Sequence, residues 1–460
     1  MLTVRFIENR NLRLKAELLF KLLLMTYTML GVCNLTYGSQ VIRAVMYPTF
    51  LLGGLLILWR LVLAKHFMRQ PELYLLVVLL LSFVFSAAAN FKYVNSAEAA
   101  IFVLWCFYFL LLFARDSQSS FSEIQKEINI FSVFYLVYVT VLVLISYYML
   151  FTGYSHSYRD PDNGKYEVAS GIFTGRLWGA FQDPNLGSVM CCIAIAVSVY
   201  IMYSKKKAVL NVLLTINSVL MFFYIVLSDS RNGMVTLGCV LGTAVFFVGL
   251  KRYAGVKKPG VNFKRALCIV LAAVGFLAGF MLPKYAQKAY NTVASDMGML
   301  VVERDYDVSD DVSNRRLDVW KSGVEIALSR PVTGVSFVGL VPYAKDNMPD
   351  TYIVNNDLWE FNTLDNDYLN VFAAQGLIGI ITVLALMALS VIKIFRNIWK
   401  SSDKAFPLIC LSAVSVCSLA ISALFQGTMF YQQTPNTFMF WLMLGSILCA
   451  LPHAAEVDEK

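Results

Sequence analysis

Five short segments hold the side chains best able to do chemistry. Three carry arginines beside small or polar residues: Gly175-Arg176-Leu177-Trp178-Gly179, Ser228-Asp229-Ser230-Arg231-Asn232-Gly233 and Asn314-Arg315-Arg316-Leu317-Asp318-Val319-Trp320. A guanidinium is a planar fork of donors that matches two phosphate oxygens at once, so three such forks on one face could clamp a diphosphate. Snorkelling to lipid headgroups is the alternative for any one of them. The other two segments carry carboxylates, Gln182-Asp183-Pro184-Asn185 and Leu364-Asp365-Asn366-Asp367-Tyr368-Leu369-Asn370.

In the first of these, proline disfavours helix at Asp183, and Asn185 can cap the helix that follows. The same arrangement would hold Asp183 and a set of backbone N–H groups near Arg176, where an anion could bind. In the second, Asp365 beside Asn366 and Tyr368 is a candidate base for a sugar hydroxyl. Plain N-capping is an equal alternative there, and a helix N-terminus would hold the carboxyl's pKa low.

The acidic run Asp305, Asp307, Asp310 and Asp311 lacks the glycine and terminal glutamate of a calcium loop and reads as solvated. With three histidines scattered along the chain, a zinc site is not expected, and no metal or cofactor is assigned. The nine cysteines fall mostly inside apolar runs, so no disulfide framework is expected.

The elements that must position these residues are membrane helices. Apolar residues make up 58% of the 460-residue chain and charged residues 15%, well below the charge of a soluble domain. Apolar windows long enough to span a bilayer recur at 18–36, 45–64, 72–89, 98–114, 129–151, 185–203, 208–228, 232–250, 264–282, 369–392, 405–425 and 436–452. They are continuous rather than alternating, which predicts an all-α polytopic membrane protein of about twelve spans, not a barrel. The first window reads as a retained helix and residues 1–17 as an interfacial lead-in.

Lysine and arginine concentrate in alternate short loops, such as Lys205-Lys206-Lys207, which places those loops and both termini in the cytoplasm. The net charge of +8 then reflects topology and contact with the lipid bilayer, and no basic stripe interleaved with aromatics suggests nucleic acid. Three regions follow: spans one to nine over residues 1–282 with an outer loop near 152–184, an extracytoplasmic loop over 283–368, and spans ten to twelve with a cytoplasmic tail over 369–460.

The long loop is acidic and rich in aromatics, including Tyr285, Tyr290, Tyr306, Trp320, Phe337, Tyr343, Tyr352, Trp359 and Phe361. These rings suit stacking on sugar C–H faces, or equally the core of a small helical cap. Residues 314–328 read as a helix with Leu317, Trp320, Val324 and Leu328 on one stripe.

Taken in order, these segments resemble the O-antigen polymerase and ligase family of bacterial surface-polysaccharide assembly. The resemblance runs from about residue 170 to 385 and rests on Arg176-Leu-Trp-Gly-Ala-Phe with Asp183-Pro-Asn, Ser230-Arg231-Asn-Gly, Arg316-Leu-Asp-Val-Trp320 leading to Arg330-Pro-Val-Thr-Gly334, and Asp365-Asn-Asp-Tyr-Leu with Gln375-Gly-Leu-Ile-Gly379. It implies a glycosyltransferase of the bacterial cytoplasmic membrane that uses an undecaprenyl-diphosphate-linked glycan as donor and needs no nucleotide sugar. The products would be capsular, O-antigen or exopolysaccharide chains. Flippase and chain-length regulator proteins would be its candidate partners.

By the matched motifs, Arg231 and Arg316 act with Asp365 in catalysis. Arg176, Asp183, Asn185, Arg315, Trp320, Asn366 and Tyr368 then contact substrate. Where the family often has histidine before asparagine this chain has Asp365, and where it often has glutamate before glycine it has Gln375. Absence of the histidine favours a polymerase over a ligase. A transporter of the same lipid-linked sugar is a third reading, disfavoured by the dissimilar halves and the long loop.

Overall fold

The computed structural model describes residues 9–68, 70–159, 167–255, 260–299, 301–303, 315–356 and 361–455. Its helices are α1 (Arg10–Gly31), α2 (Gln40–Val62), α3 (Pro71–Ala89), α4 (Ser96–Cys106), α5 (Phe121–Phe151), α6 (Pro184–Lys205), α7 (Ala208–Leu227), α8 (Arg231–Tyr253), α9 (Val261–Asp296), α10 (Arg316–Ser329), α11 (Leu340–Asn347), α12 (Asp367–Asn397), α13 (Phe406–Ser422) and α14 (Pro435–Ala450), of which all but α10 and α11, in the long loop, fall on the apolar windows. Among the described residues, ten helices are long and apolar enough to cross a membrane. The chain is thus a multi-pass, all-α membrane protein. Two expected spans fall outside the ten: α13 is short, and α1 carries a charged stripe.

That stripe corrects the reading of residues 1–17 as an interfacial lead-in. The helix begins at Arg10, and Arg13, Glu17 and Lys21 are buried along one face of it. Arg13 bonds Asp116, Arg10 pairs with Glu123 at 2.8 Å, Arg60 with Glu17 at 2.8 Å, and Lys21 with Glu127 at 2.6 Å. Buried ions persist only when paired, so this cluster fixes α1 against α2 and α5 at one end of the bundle. The end of α4 joins it. Phe107–Phe113 continue α4 as a π-helix, and Arg60 donates to the carbonyls of Leu110 and Ala114 there.

The opposite end carries the long loop. The segment 152–184, expected as an outer loop, contains a small antiparallel sheet, β1 (Ser155–Arg159), β2 (Glu167–Phe173) and β3 (Arg176–Gly179), in the order β1-β2-β3. Ser155 pairs with Gly171, and the register shifts between Gly171 and Ile172. The chain leaving α1 tethers the segment beyond β3: Asn34 N–H donates to Ala180 O at 2.9 Å and Gln182 N–H to Val32 O at 2.9 Å.

Helix α9 runs through Pro283 to Asp296, past the expected boundary at residue 282. Helix α10 forms where expected, but its stripe faces the other way. Val319, Ser322, Gly323, Ile326 and Ala327 are buried, while Leu317, Val324 and Leu328 are exposed. The buried side joins Val335, Leu340, Tyr343, Ile353 and Leu364 in a second core, against which Tyr93, Tyr352 and Phe361 pack. Tyr343, Tyr352 and Phe361 therefore serve packing, whereas Tyr306 and Trp359 lie outside the described residues.

The join between this cap and the bundle is a break in α12. Gly376 has φ 64° and ψ −159°, and residues 331–336 insert beside it. Val335 N–H donates to Ala373 O at 2.9 Å, Ser336 N–H to Ala374 O at 3.0 Å, and Leu377 N–H to Pro331 O at 2.7 Å. Ser86 of α3 donates to Ala374 O at 2.5 Å, and Asn90 to Gly334 O at 3.0 Å. A Cβ on Gly334 would stand 2.3 Å from the Ala374 backbone, and one on Gly376 2.5 Å from Pro331 O.

The Gly376 conformation belongs to a region that is essentially glycine's alone, with a strain of about 1–3 kcal/mol for other residues. Gly376→Ala should therefore lower the thermal midpoint of the detergent-solubilised protein and reduce its membrane abundance. Gly54→Ala, where an added Cβ meets nothing within 4 Å, should leave both unchanged. Equal behaviour of the two variants would contradict the interlock.

Candidate functional site

Each motif residue is set by the end of an element. Asp183, not Asn185, caps α6: its Oδ1 accepts from the Asn185 N–H at 2.5 Å and the Leu186 N–H at 3.0 Å. Asn185 instead accepts from the Ser230 hydroxyl at 3.0 Å, which ties the start of α6 to the start of α8. Ser230 also caps α8, accepting from the Gly233 N–H at 3.0 Å, and Arg231 is the first residue of that helix. The two starts can sit this close because Gly233 faces Ser188, whose Cβ would lie 2.5 Å from any Cβ added there.

Arg176 lies on β3 with its guanidinium 5.7 Å from the Trp178 ring centroid. The Tyr224 hydroxyl, on α7, donates to Trp178 O at 2.9 Å and ties β3 to that helix.

At the start of α12 the capping question is settled by geometry. Asn366 is the cap, accepting from the Tyr368 and Leu369 N–H groups at 3.0 and 3.1 Å. Asp365 precedes it with φ 50°, in the left-handed region, and its side chain lines a cavity. Asp367 is committed elsewhere, its Oδ2 accepting from the Thr428 and Met429 N–H groups at 2.8 and 2.7 Å. The Tyr368 hydroxyl donates to Ala420 O at 2.9 Å and so ties α12 to α13.

The cavity has a volume of about 670 Å³. It is lined by Gln182, Asp183, Thr363 and Asp365, and by Gln426, Tyr431, Gln432, Gln433 and Thr434 of the loop between α13 and α14. Tyr27 of α1, Tyr37 and Ser39 of the α1–α2 connection and Arg43 of α2 also line it. Carboxylates, amides and hydroxyls beside tyrosine rings are the donor and acceptor set that sugar hydroxyls need.

The α13–α14 loop was not among the segments singled out in the sequence. Its backbone is held by Asp367, by Trp441 Nε1 donating to Met429 O at 2.6 Å, and by Trp105 Nε1 donating to Phe430 O at 3.0 Å. Tyr431 stacks on Phe337 at 4.0 Å and accepts from Gln375 at 2.9 Å. The cluster of glutamines between two apolar spans was the available signal.

Among the described residues, the arginines expected to form a clamp do not line this cavity. Arg316, first residue of α10, nevertheless acts electrostatically on Asp365. Arg315 is exposed and pairs with Asp318 at 3.6 Å. Trp320 is half-buried, 6.2 Å from Phe425, and its Nε1 is buried without a hydrogen-bond partner among the described residues. The acidic run from Asp305 to Asp311 lies outside the described residues, and among the described ones no cluster of His, Cys, Asp or Glu could hold a metal ion.

Burial pushes the Asp365 carboxyl up to about 6, Arg316 draws it down and Asp183 raises it. This reverses the expectation of a low pKa: Asn366 takes the helix amides, and Asp365 keeps the desolvation of the cavity.

Comparison with known proteins bears on the same segment. Residues 216–384, from α7 through the broken α12, match the family model described as O-antigen ligase. A Haemophilus influenzae protein named only as an uncharacterized protein is 22% identical over 174 residues, covering 37% of this chain. The match spans 40% of that relative's length. The matched family supports the resemblance to O-antigen polymerases and ligases, and it takes in Arg231, Arg316 and Asp365.

A general base at Asp365 would have to be deprotonated to act, so that role predicts kcat/KM rising about tenfold per pH unit below about 6 and levelling off above it. Because Asp183 raises the carboxyl and Arg316 lowers it, Asp183→Asn should move this limb to lower pH and Arg316→Gln to higher pH. Profiles that stay superimposed in both variants would contradict the pairing.

Proposed function

We propose that the protein joins undecaprenyl-diphosphate-linked oligosaccharide repeat units into a capsular, O-antigen or exopolysaccharide chain on the outer face of the bacterial cytoplasmic membrane. The observation that carries this reading is Asp365, held off the cap of α12 in a cavity lined by amides, hydroxyls and tyrosines. The terminal hydroxyl of the acceptor unit attacks the anomeric carbon of the donor glycan. Asp365 takes the hydroxyl proton, the new glycosidic bond forms, and the bond from the anomeric carbon to the diphosphate breaks with its electron pair leaving on the diphosphate.

Charge grows on the diphosphate as it departs. Arg316 on the adjoining helix start, with Arg231 and Arg176, supplies the positive field that stabilises it. No nucleotide is needed, because the leaving diphosphate already makes the donor reactive. A polymerase fits better than a ligase, since an aspartate stands where ligases of the resembling family rely on histidine.

Incubating the purified protein in nanodiscs with lipid-linked repeat units, without nucleotide sugar or added metal, should yield a ladder of polymer and release undecaprenyl diphosphate. Transfer only when a different acceptor is supplied would replace the polymerase by a ligase. Translocation of the lipid-linked unit with no diphosphate released would replace both by a transporter.

A further inference from the structure

The loop between α13 and α14 brings Gln426, Tyr431, Gln432, Gln433 and Thr434 to the cavity. Three of these side chains are already committed. Gln426 accepts from Asn232 of α8 at 3.4 Å, the Tyr431 hydroxyl accepts from Gln375 at 2.9 Å, and the Thr434 hydroxyl caps α14 by accepting from the Thr437 N–H at 3.2 Å. Gln432 and Gln433 are half-buried at the cavity, and among the described residues neither carboxamide has a hydrogen-bond partner.

The backbone that carries them has little freedom. Asp367 holds the Thr428 and Met429 N–H groups, the indoles of Trp441 and Trp105 hold the Met429 and Phe430 carbonyls, and the Thr437 hydroxyl donates to Gln432 O at 2.8 Å. A Cβ on Gly427 would stand 2.7 Å from Gln432 Cδ, so the Gln432 side chain packs across that glycine. Two amides are thus offered from a fixed platform, which lowers the ordering cost of binding. The loop also lies beyond residues 216–384, so the matched family assigns it no role.

Each carboxamide presents N–H donors and a carbonyl acceptor side by side. Neighbouring hydroxyls of a sugar ring need that combination, one donating to the carbonyl and the other accepting from the N–H. The amides carry no charge with which to offset a departing diphosphate, so they suit the sugar and not the carrier. Asp365 lines the same cavity, and in the proposed transfer it takes a proton from the acceptor hydroxyl. The sugar that reaches this carboxyl is therefore the acceptor's.

We propose that Gln432 and Gln433 form the acceptor-sugar subsite, binding adjacent hydroxyls of the terminal sugar of the incoming unit and so selecting which unit is joined. This rests on the proposed function in taking Asp365 as the acceptor's base. It adds to that reading the residues that recognise the acceptor.

The test is binding of the free repeat-unit oligosaccharide, released by mild acid from the same lipid-linked units, to the full chain in phosphatidylcholine nanodiscs, followed by saturation-transfer NMR. This probe has neither polyprenyl chain nor diphosphate, so it reports sugar contacts alone. Gln432→Met combined with Gln433→Met keeps side-chain length but removes both amides, and should weaken binding by about tenfold or more. Gly427→Ala keeps both amides but crowds Gln432, and should weaken binding to a smaller extent. Gln118→Met, exposed in the connection ahead of α5, should bind as wild type. Thermal midpoints establish that each variant is folded. In transfer assays the double variant should raise the acceptor KM and leave kcat near wild type, the signature of lost binding.

Binding by the double variant equal to wild type would overturn the subsite and leave the proposed function standing. Polymer formation by a wild type that does not bind the free oligosaccharide would do the same. Binding that depends on the two glutamines in a wild type that forms no polymer would keep the sugar subsite and remove the proposed transfer. A wild type that neither binds nor polymerises would remove both.

Discussion

The site depends on one backbone interlock, the insertion of residues 331–336 into the broken turn of α12 at Gly376. A broken helix in a membrane protein is stable only if protein groups take over the freed N–H and C=O groups. Here Pro331, Val335, Ser336 and Ser86 do so. The same insertion fixes the end of α10, so Arg316 at its start is brought within electrostatic reach of Asp365. Gln375, one residue before the break, accepts from Ser82 at 2.6 Å and donates to Tyr431, which carries the geometry into the α13–α14 loop.

The two ends of the bundle treat charge in opposite ways. At one end Glu17 and Asp116 are buried and Glu127 is half-buried among Arg60, Arg13, Arg10, Lys21 and Arg115, and these ion pairs hold helices together. At the other, Asp183 raises the carboxyl of Asp365 while Arg316 draws it down. Desolvation, opposed by Arg316 and aided by Asp183, is what keeps that carboxyl able to exchange a proton near neutrality. The carboxylates at the first end are fully committed to structure.

Much of this was legible in the sequence, for definite reasons. Continuous apolar runs marked the spans because bilayer thickness leaves little freedom in length, and the spacing of motifs placed Asp183, Asp365 and Arg316 near helix starts. What sequence could not supply was the direction a side chain takes at those starts. Asn185 and Asp183 are both good caps, as are Asp365 and Asn366, and only the folded backbone chose Asp183 and Asn366. The stripe on α10 was read backwards because its buried side uses Ser322, Gly323 and Ala327, small residues admitted by close packing on Leu364, while larger apolar ones face outward. Arg43 and the glutamines of the α13–α14 loop went unread because a polar run at the end of a span marks a cavity wall and an ordinary connection alike.

The proposed transfer requires Asp365 to act as a proton acceptor and not as a structural oxygen. The most direct measurement is single-turnover transfer by Asp365→Asn with donor affinity determined in parallel. An amide keeps the shape and hydrogen-bonding oxygen but takes up no proton, so turnover should fall by roughly 10² or more while donor affinity stays near normal. Asp365→His, placing an imidazole in the same position, should recover part of the rate. Transfer by Asp365→Asn at the wild-type rate would contradict the account and send the proton elsewhere.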